Sequence, residues 1–162
     1  MPTKRKKSIL GIDPGFARTG WGIIEDGSKI KLIDYGCIET PKTMNYYDRL
    51  IALSDNLNKV INKFKPEYAG VEQLFFCKNV KTGIQVGEAR GIIILTLAQY
   101  QIPIKEFTPM QIKQAVAGFG KADKGQIQRM VKTLLNLKSI PRPDDAADAL
   151  AVALCAAATK NF

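Results

Sequence analysis

From Asp144 to Thr159 the sequence reads as a helix, and between Ala149 and Ala158 that helix contains no polar residue. A helix that is apolar all round is a buried helix, so the rest of the chain must supply layers that cover it. Runs of strand character from Ser8 to Asp13, Gly20 to Glu25 and Lys29 to Ile38 are separated by turns, and Asp26-Gly27 is a hairpin signal. Between Tyr46 and Lys65 the apolar residues Leu50, Leu53, Leu57, Val60, Ile61 and Phe64 recur at three and four, which predicts an amphipathic helix stopped by Pro66. A short strand, Tyr68 to Glu72, follows, then a helix from about Lys81 to Tyr100 and a strand from Ile102 to Phe107. Two further helices, near Pro109 to Ala117 and Asp123 to Leu137, precede the apolar one. Three strands followed by alternating helix and strand imply an α/β layer fold with a mixed sheet, an antiparallel meander continued by right-handed crossovers. A chain of 162 residues can bury roughly 70% of its unfolded surface. With no repeat, linker or low-complexity tract, residues 1–162 are expected to form a single domain.

The formal net charge is +9, and from Lys105 to Arg142 there are eight Lys or Arg against Glu106 and Asp123. A polyanion is the natural partner of such a surface; the alternative is a solvated basic face that only aids solubility. Cys37, Cys77 and Cys155 are odd in number and widely spaced, which suits neither a disulfide framework nor a zinc site and points to reduced, mostly buried thiols. The apolar run after Lys4, Arg5, Lys6 and Lys7 is too short for a signal-peptide core, and no later run reaches membrane-spanning length. A cytoplasmic or organelle-interior protein is expected, with no membrane partner.

Carboxylates at strand ends stand out in so basic a chain, because an unpaired buried charge is costly. Asp13 ends the first strand in Gly11-Ile-Asp-Pro-Gly15, and Glu72 ends a later one in Gly70-Val-Glu-Gln-Leu-Phe-Phe76. Asp145 and Asp148 lie three apart at the start of the apolar helix and share one face of it, and the four-residue spacing from Asp144 to Asp148 allows the same pairing. Taken singly, Asp13 reads as a turn cap, Glu72 as a strand-edge charge and Asp144 as a helix N-cap. Together the acids form a set of hard oxygen ligands in a chain without histidine, which favours magnesium or manganese over zinc. With no imidazole as general base, metal must lower the pKa of the attacking water, and two ions about 4 Å apart suit in-line hydrolysis of a phosphodiester.

Gly-Ile-Asp-Pro-Gly at 11 to 15, Val-Glu-Gln-Leu-Phe at 71 to 75 and Asp-Ala-Ala-Asp-Ala-Leu-Ala at 145 to 151 resemble the signature segments of the RuvC family of junction-resolving nucleases. Lys78-Asn79, Gly87-Glu-Ala-Arg-Gly91 and the basic stretch from Gln111 to Lys124 extend the resemblance over nearly the whole chain. It implies a ribonuclease H-like fold, a mixed five-stranded sheet flanked by helices, and a homodimer making paired Mg²⁺-dependent nicks in four-way DNA. By the same resemblance Asp13, Glu72, Asp145 and Asp148 carry the catalytic and metal-ligand roles, with two Mg²⁺ per site and Mn²⁺ as a substitute. Asp144 falls one residue before the motif and stays a helix cap. Phe75 matches the family's base-stacking position, and Lys113 and Lys124 match its basic residues near the scissile phosphate. Branch-migration partners of the RuvA/RuvB type are also implied. Lys81, Arg90, Lys121 and Arg129 are further candidates for phosphate contacts, and Phe76 is expected to face the core.

Gly83, Gly87 and Gly91 recur every four residues on a predicted helix that also carries Val86, Ile93 and Leu97. Each interior glycine costs about 1 kcal/mol of helix stability, which close approach of another element would offset. That element is either a second copy of the chain or the chain's own sheet. Three other functions compete: a YqgF-like RNA-processing nuclease, a non-catalytic junction binder, and an actin-like nucleotide-binding module suggested by Asp13, Gly15 and Gly20.

Overall fold

A computed structural model describes residues 5–73 and 79–159. Its elements, in chain order, are β1 (Lys7–Asp13), β2 (Arg18–Asp26), β3 (Ile30–Glu39), α1 (Tyr46–Phe64), β4 (Tyr68–Glu72), α2 (Val80–Gln99), β5 (Ile104–Phe107), α3 (Pro109–Ala117), α4 (Lys124–Leu134) and α5 (Asp144–Ala157). The strands form one five-stranded sheet in the order β3-β2-β1-β4-β5. The β1–β2 and β2–β3 pairs are antiparallel, whereas β1–β4 and β4–β5 are parallel. This is the expected meander with crossovers. One correction falls at the β2–β3 hairpin: Asp26 is buried and pairs with Lys7 and Ile30 inside the sheet. The connection is therefore Gly27 to Lys29, one residue longer than the Asp26-Gly27 signal implied, and the register shifts opposite Ile23/Ile24, where Ile33 of β3 is left without a partner in the β2–β3 ladder.

Alternation along the strands divides the core in two. Leu10, Ile12, Ile23, Ala69 and Val71 face α1 and α2, where they meet Leu53, Leu57, Ile93 and Leu97. Ile9, Ile24 and Phe107 face the other way, toward α3, α4 and the buried α5. Burying a Leu or Ile in these layers contributes about 1.5–3 kcal/mol each.

On the α5 side the sheet has an unusual floor. Gly22, Gly11 and Gly70 sit abreast on β2, β1 and β4, and α5 packs directly on them, at backbone distance over Gly11. A Cβ on Gly11 would collide with the Ala149 carbonyl and stand 2.8 Å from the Ala153 Cβ, while one on Gly70 would meet Ala156 and Val152 at 3.1 and 3.2 Å. Gly20, opposite Asp13 in the ladder, gives the same clearance to the Asp145 carbonyl. Glycine on the strands thus lets α5 settle onto the sheet, backbone against backbone at Gly11 and Gly20 and with the Leu150 and Val152 side chains filling the space over Gly22 and Gly70.

Candidate active site

Asp13 and Glu72 end adjacent parallel strands whose ladder runs to Ile12 and Val71, so the two carboxyls project from the same sheet edge toward α5. The glycine floor brings the first turns of α5 down to meet them. Asp13, Glu72 and Asp148 line one cleft of about 280 Å³ together with Lys113, Lys124, Asp123 and Ala122. Asp145 stands outside that lining but within electrostatic reach of Asp13 and Asp148. On its own side it meets Arg18, whose Nη1 is 3.9 Å from its Oδ2.

The electrostatics are those of acids crowded against one another. Asp13 is pushed up to about 9, first by burial, then by a hydrogen bond to Glu72 and repulsion from Glu72, Asp148 and Asp145. Asp148 is also raised, by burial and by Glu72 and Asp145, although Lys124 opposes the shift. The Lys124 Nζ lies 3.5 Å from both Asp148 and Asp144. Burial works against its charge, but attraction to those carboxylates prevails and raises its pKa.

Local structure fixes the two lysines. Thr108 and Gln111 form a reciprocal capping box at the start of α3, and Asp123 and Gln126 form another at the start of α4. Such a box satisfies two otherwise unpaired backbone donors. It sets the helix entry just ahead of Lys113 on one wall and Lys124 on the next.

Among the described residues no three Asp, Glu, Cys or His side chains close tightly on a single point. The acids are neighbours rather than a closed cage. Their chemistry nevertheless fits divalent cations, because all are oxygen donors and a cation among them would relieve the repulsion that raises Asp13.

Several expectations change here. Asp144 is not the N-cap of α5: Pro143 holds that position and no side chain caps it. A proline there starts the helix, leaving the Asp144 carboxylate free to pair with Arg142 and Lys124. Arg90 is engaged by Glu106 of β5 rather than presented to a polyanion. Lys81, Lys121 and Arg129 are exposed. Gly15 forms the tight turn against Arg18, and Gly20 admits α5, so the Asp13, Gly15, Gly20 spacing is explained without a phosphate loop. Cys155 is buried and Cys37 half-buried, both free thiols. Phe75, Phe76, Cys77 and Lys78 lie outside the described residues. The residue that sequence reasoning missed is Arg18, for which an arginine at a strand start gives no signal.

A family model described as crossover junction endodeoxyribonuclease RuvC matches residues 9–156. The chain belongs to the RuvC family. It is 55% identical over 149 residues to the RuvC of Caldicellulosiruptor saccharolyticus, covering 91% of this chain and 90% of that protein. The RuvC of Halothermothrix orenii is 54% identical over 148 residues, with 91% and 90% covered. The structure of T. thermophilus RuvC in complex with Holliday junction substrate superposes with a TM-score of 0.87 at 34% identity, 92% of each chain being covered. This RuvC-family chain is therefore a crossover junction endodeoxyribonuclease with the ribonuclease H-like sheet order of its relatives, and dependence on divalent metal is general in the family.

Proposed function

We propose that the protein acts as one nuclease domain, residues 1–162, which resolves four-way (Holliday) DNA junctions in the cytoplasm during homologous recombination and repair. The observation that carries this reading is the meeting, in one cleft, of Asp13, Glu72 and Asp148 with Lys113 and Lys124, with Asp145 beside them. These four acids are the proposed ligands of two Mg²⁺ ions, with Mn²⁺ a workable substitute. Bound there, the ions would activate water on one side of the phosphate and stabilise the leaving oxygen on the other.

The side chains of the chain itself have separate tasks. Lys113 and Lys124 hold the backbone phosphate over the acids. Asp13 must give up its proton before both its oxygens serve as ligands. Arg18 steadies Asp145 from the opposite rim. Phe75, by its place in the motif, stacks on a base at the branch point.

Two equivalent nicks need two centres, and a homodimer supplies them. On α2, a Cβ on Gly87 or Gly91 would meet no other part of the described residues within 4 Å, while Val80, Ile84 and Leu95 are exposed. Among the described residues no other element of the chain approaches these two glycines, which favours a second copy as the element that does. Ile94 packs partly against its own core, so the proposed face runs along Ile84, Gly87, Gly91 and Leu95. RuvA/RuvB-type branch-migration proteins are the proposed partners upstream.

The test is incubation with a synthetic four-way junction and with linear duplex, each with and without Mg²⁺. Symmetric nicks confined to the junction and dependent on metal are expected. Equal cutting of linear duplex, or cutting in chelator, would overturn the proposal.

A further inference from the structure

The connection between α3 and α4 carries an aromatic ring that neither the core nor the acidic cleft uses. Gly118 closes α3 in the left-handed region at φ 83, and Asp123 opens α4 as its cap. Between them Phe119, flanked by Gly118 and Gly120, is 45% exposed. Met110 lies along the same turn, its Cγ 2.9 Å from where a Cβ on Gly120 would stand, and is 69% exposed. Within three residues the connection becomes the cleft wall, through Ala122, Asp123 and Lys124. Phe119 thus stands three residues along the chain from the lining of the site that handles the phosphodiester.

Single exposed apolar residues are common and need no explanation. Charge sets this one apart. Lys113 and Lys124 line the adjoining cleft, and Lys121 and Arg129 are exposed on the same connection and helix. Cations of this kind draw in the phosphates of a nucleic acid, and an aromatic face among them meets the part that phosphates leave uncovered, the base.

Building on the junction-resolving reading, we propose that Phe119 is a specificity-determining residue that packs on an unstacked base beside the cleaved phosphate. It would act from the α3–α4 connection, apart from the segment that follows Glu72.

The experiment compares wild type, Phe119→Ala and Phe119→Trp on a four-way junction carrying 2-aminopurine next to the cut. Stacking on one base sets the scale, so Phe119→Ala is expected to lower kcat/KM on the order of ten- to a hundredfold and to lose the fluorescence change on binding. Phe119→Trp should keep both, and the Mg²⁺-induced rise in Tm should be the same in all three. Wild-type behaviour of Phe119→Ala would overturn the inference and leave the ring to a protein partner. So would a Trp variant as defective as Ala, or an Ala variant that has lost its Mg²⁺ response. A wild-type protein that leaves the junction uncut in Mg²⁺ would instead defeat the junction-resolving reading, and this inference with it.

Discussion

Gly20 of β2 lies against the backbone carbonyl of Asp145, with no space between them for a methyl group. Gly20 is also the ladder partner of Asp13, so a single strand position sets the height of the α5 acids above the sheet acids. Gly20→Ala should push the start of α5 outward. Overpacking of this kind costs about 1–3 kcal/mol, measurable in a denaturant titration, and junction cleavage should fall by more than the fraction of unfolded protein explains. Full activity in a folded Gly20→Ala protein would show that this contact does not position Asp145.

Asp13→Asn, Glu72→Gln, Asp145→Asn and Asp148→Asn should each abolish cleavage while leaving junction binding in place, because Lys113 and the basic connection remain. Asp144→Asn should be mild, since Asp144 pairs with Arg142 and Lys124 at the surface, where solvent screens such pairs. Gel-shift and nicking assays on the five variants decide it. A dead Asp144→Asn beside an active Asp145→Asn would move the ligand assignment by one residue.

The crowded acids make stability depend on pH. Asp13 has an ordinary pKa of 3.8 when unfolded and one of about 9 when folded without metal. Between these values the folded state holds the extra proton, so stability declines as pH rises. In chelator the Tm should therefore drop from about pH 5 to about pH 9 by this contribution. Asp13→Asn should flatten that slope. Mg²⁺ binding should release a proton below about pH 9, detectable as a heat of binding that varies with the ionisation enthalpy of the buffer. A pH slope unchanged in Asp13→Asn would assign it to another group.

For the proposed dimer, Leu95→Glu is the sharper probe, because Leu95 is 58% exposed whereas Ile94 also serves the core. Leu95→Glu or Gly91→Glu should sediment as a folded monomer at micromolar concentration, retain its Mg²⁺ response and make uncoordinated nicks. Wild-type protein that is monomeric on a junction yet cuts both strands together would refute the assembly.

Much of the architecture was legible because its signals are local. Periodicity placed α1, and Pro66 ended it. Asp13 and Glu72 were recognisable as strand ends from the turn chemistry and apolar neighbours around them. Asp144 was misread because an Asp before an apolar run resembles an N-cap, while Pro143 holds that position without offering a side-chain acceptor. Arg90 looked like a phosphate ligand because its partner, Glu106, is on a different element and nothing local announces the pair. Gly11, Gly22 and Gly70 each signal close backbone approach in a strand. That they lie abreast is a property of register, which no single segment contains.

That row has a consequence for anyone altering the enzyme. Replacing glycine with alanine is a standard route to a sturdier protein, since it narrows the unfolded ensemble. At Gly11, Gly20, Gly22 and Gly70 the same change adds thickness under α5, and thickness is what separates one pair of acids from the other. These positions should be frozen in any stabilisation library, with variation directed to surfaces such as the outer face of α1. Natural drift faces the same restriction: here a lineage can gain rigidity only at the expense of its chemistry.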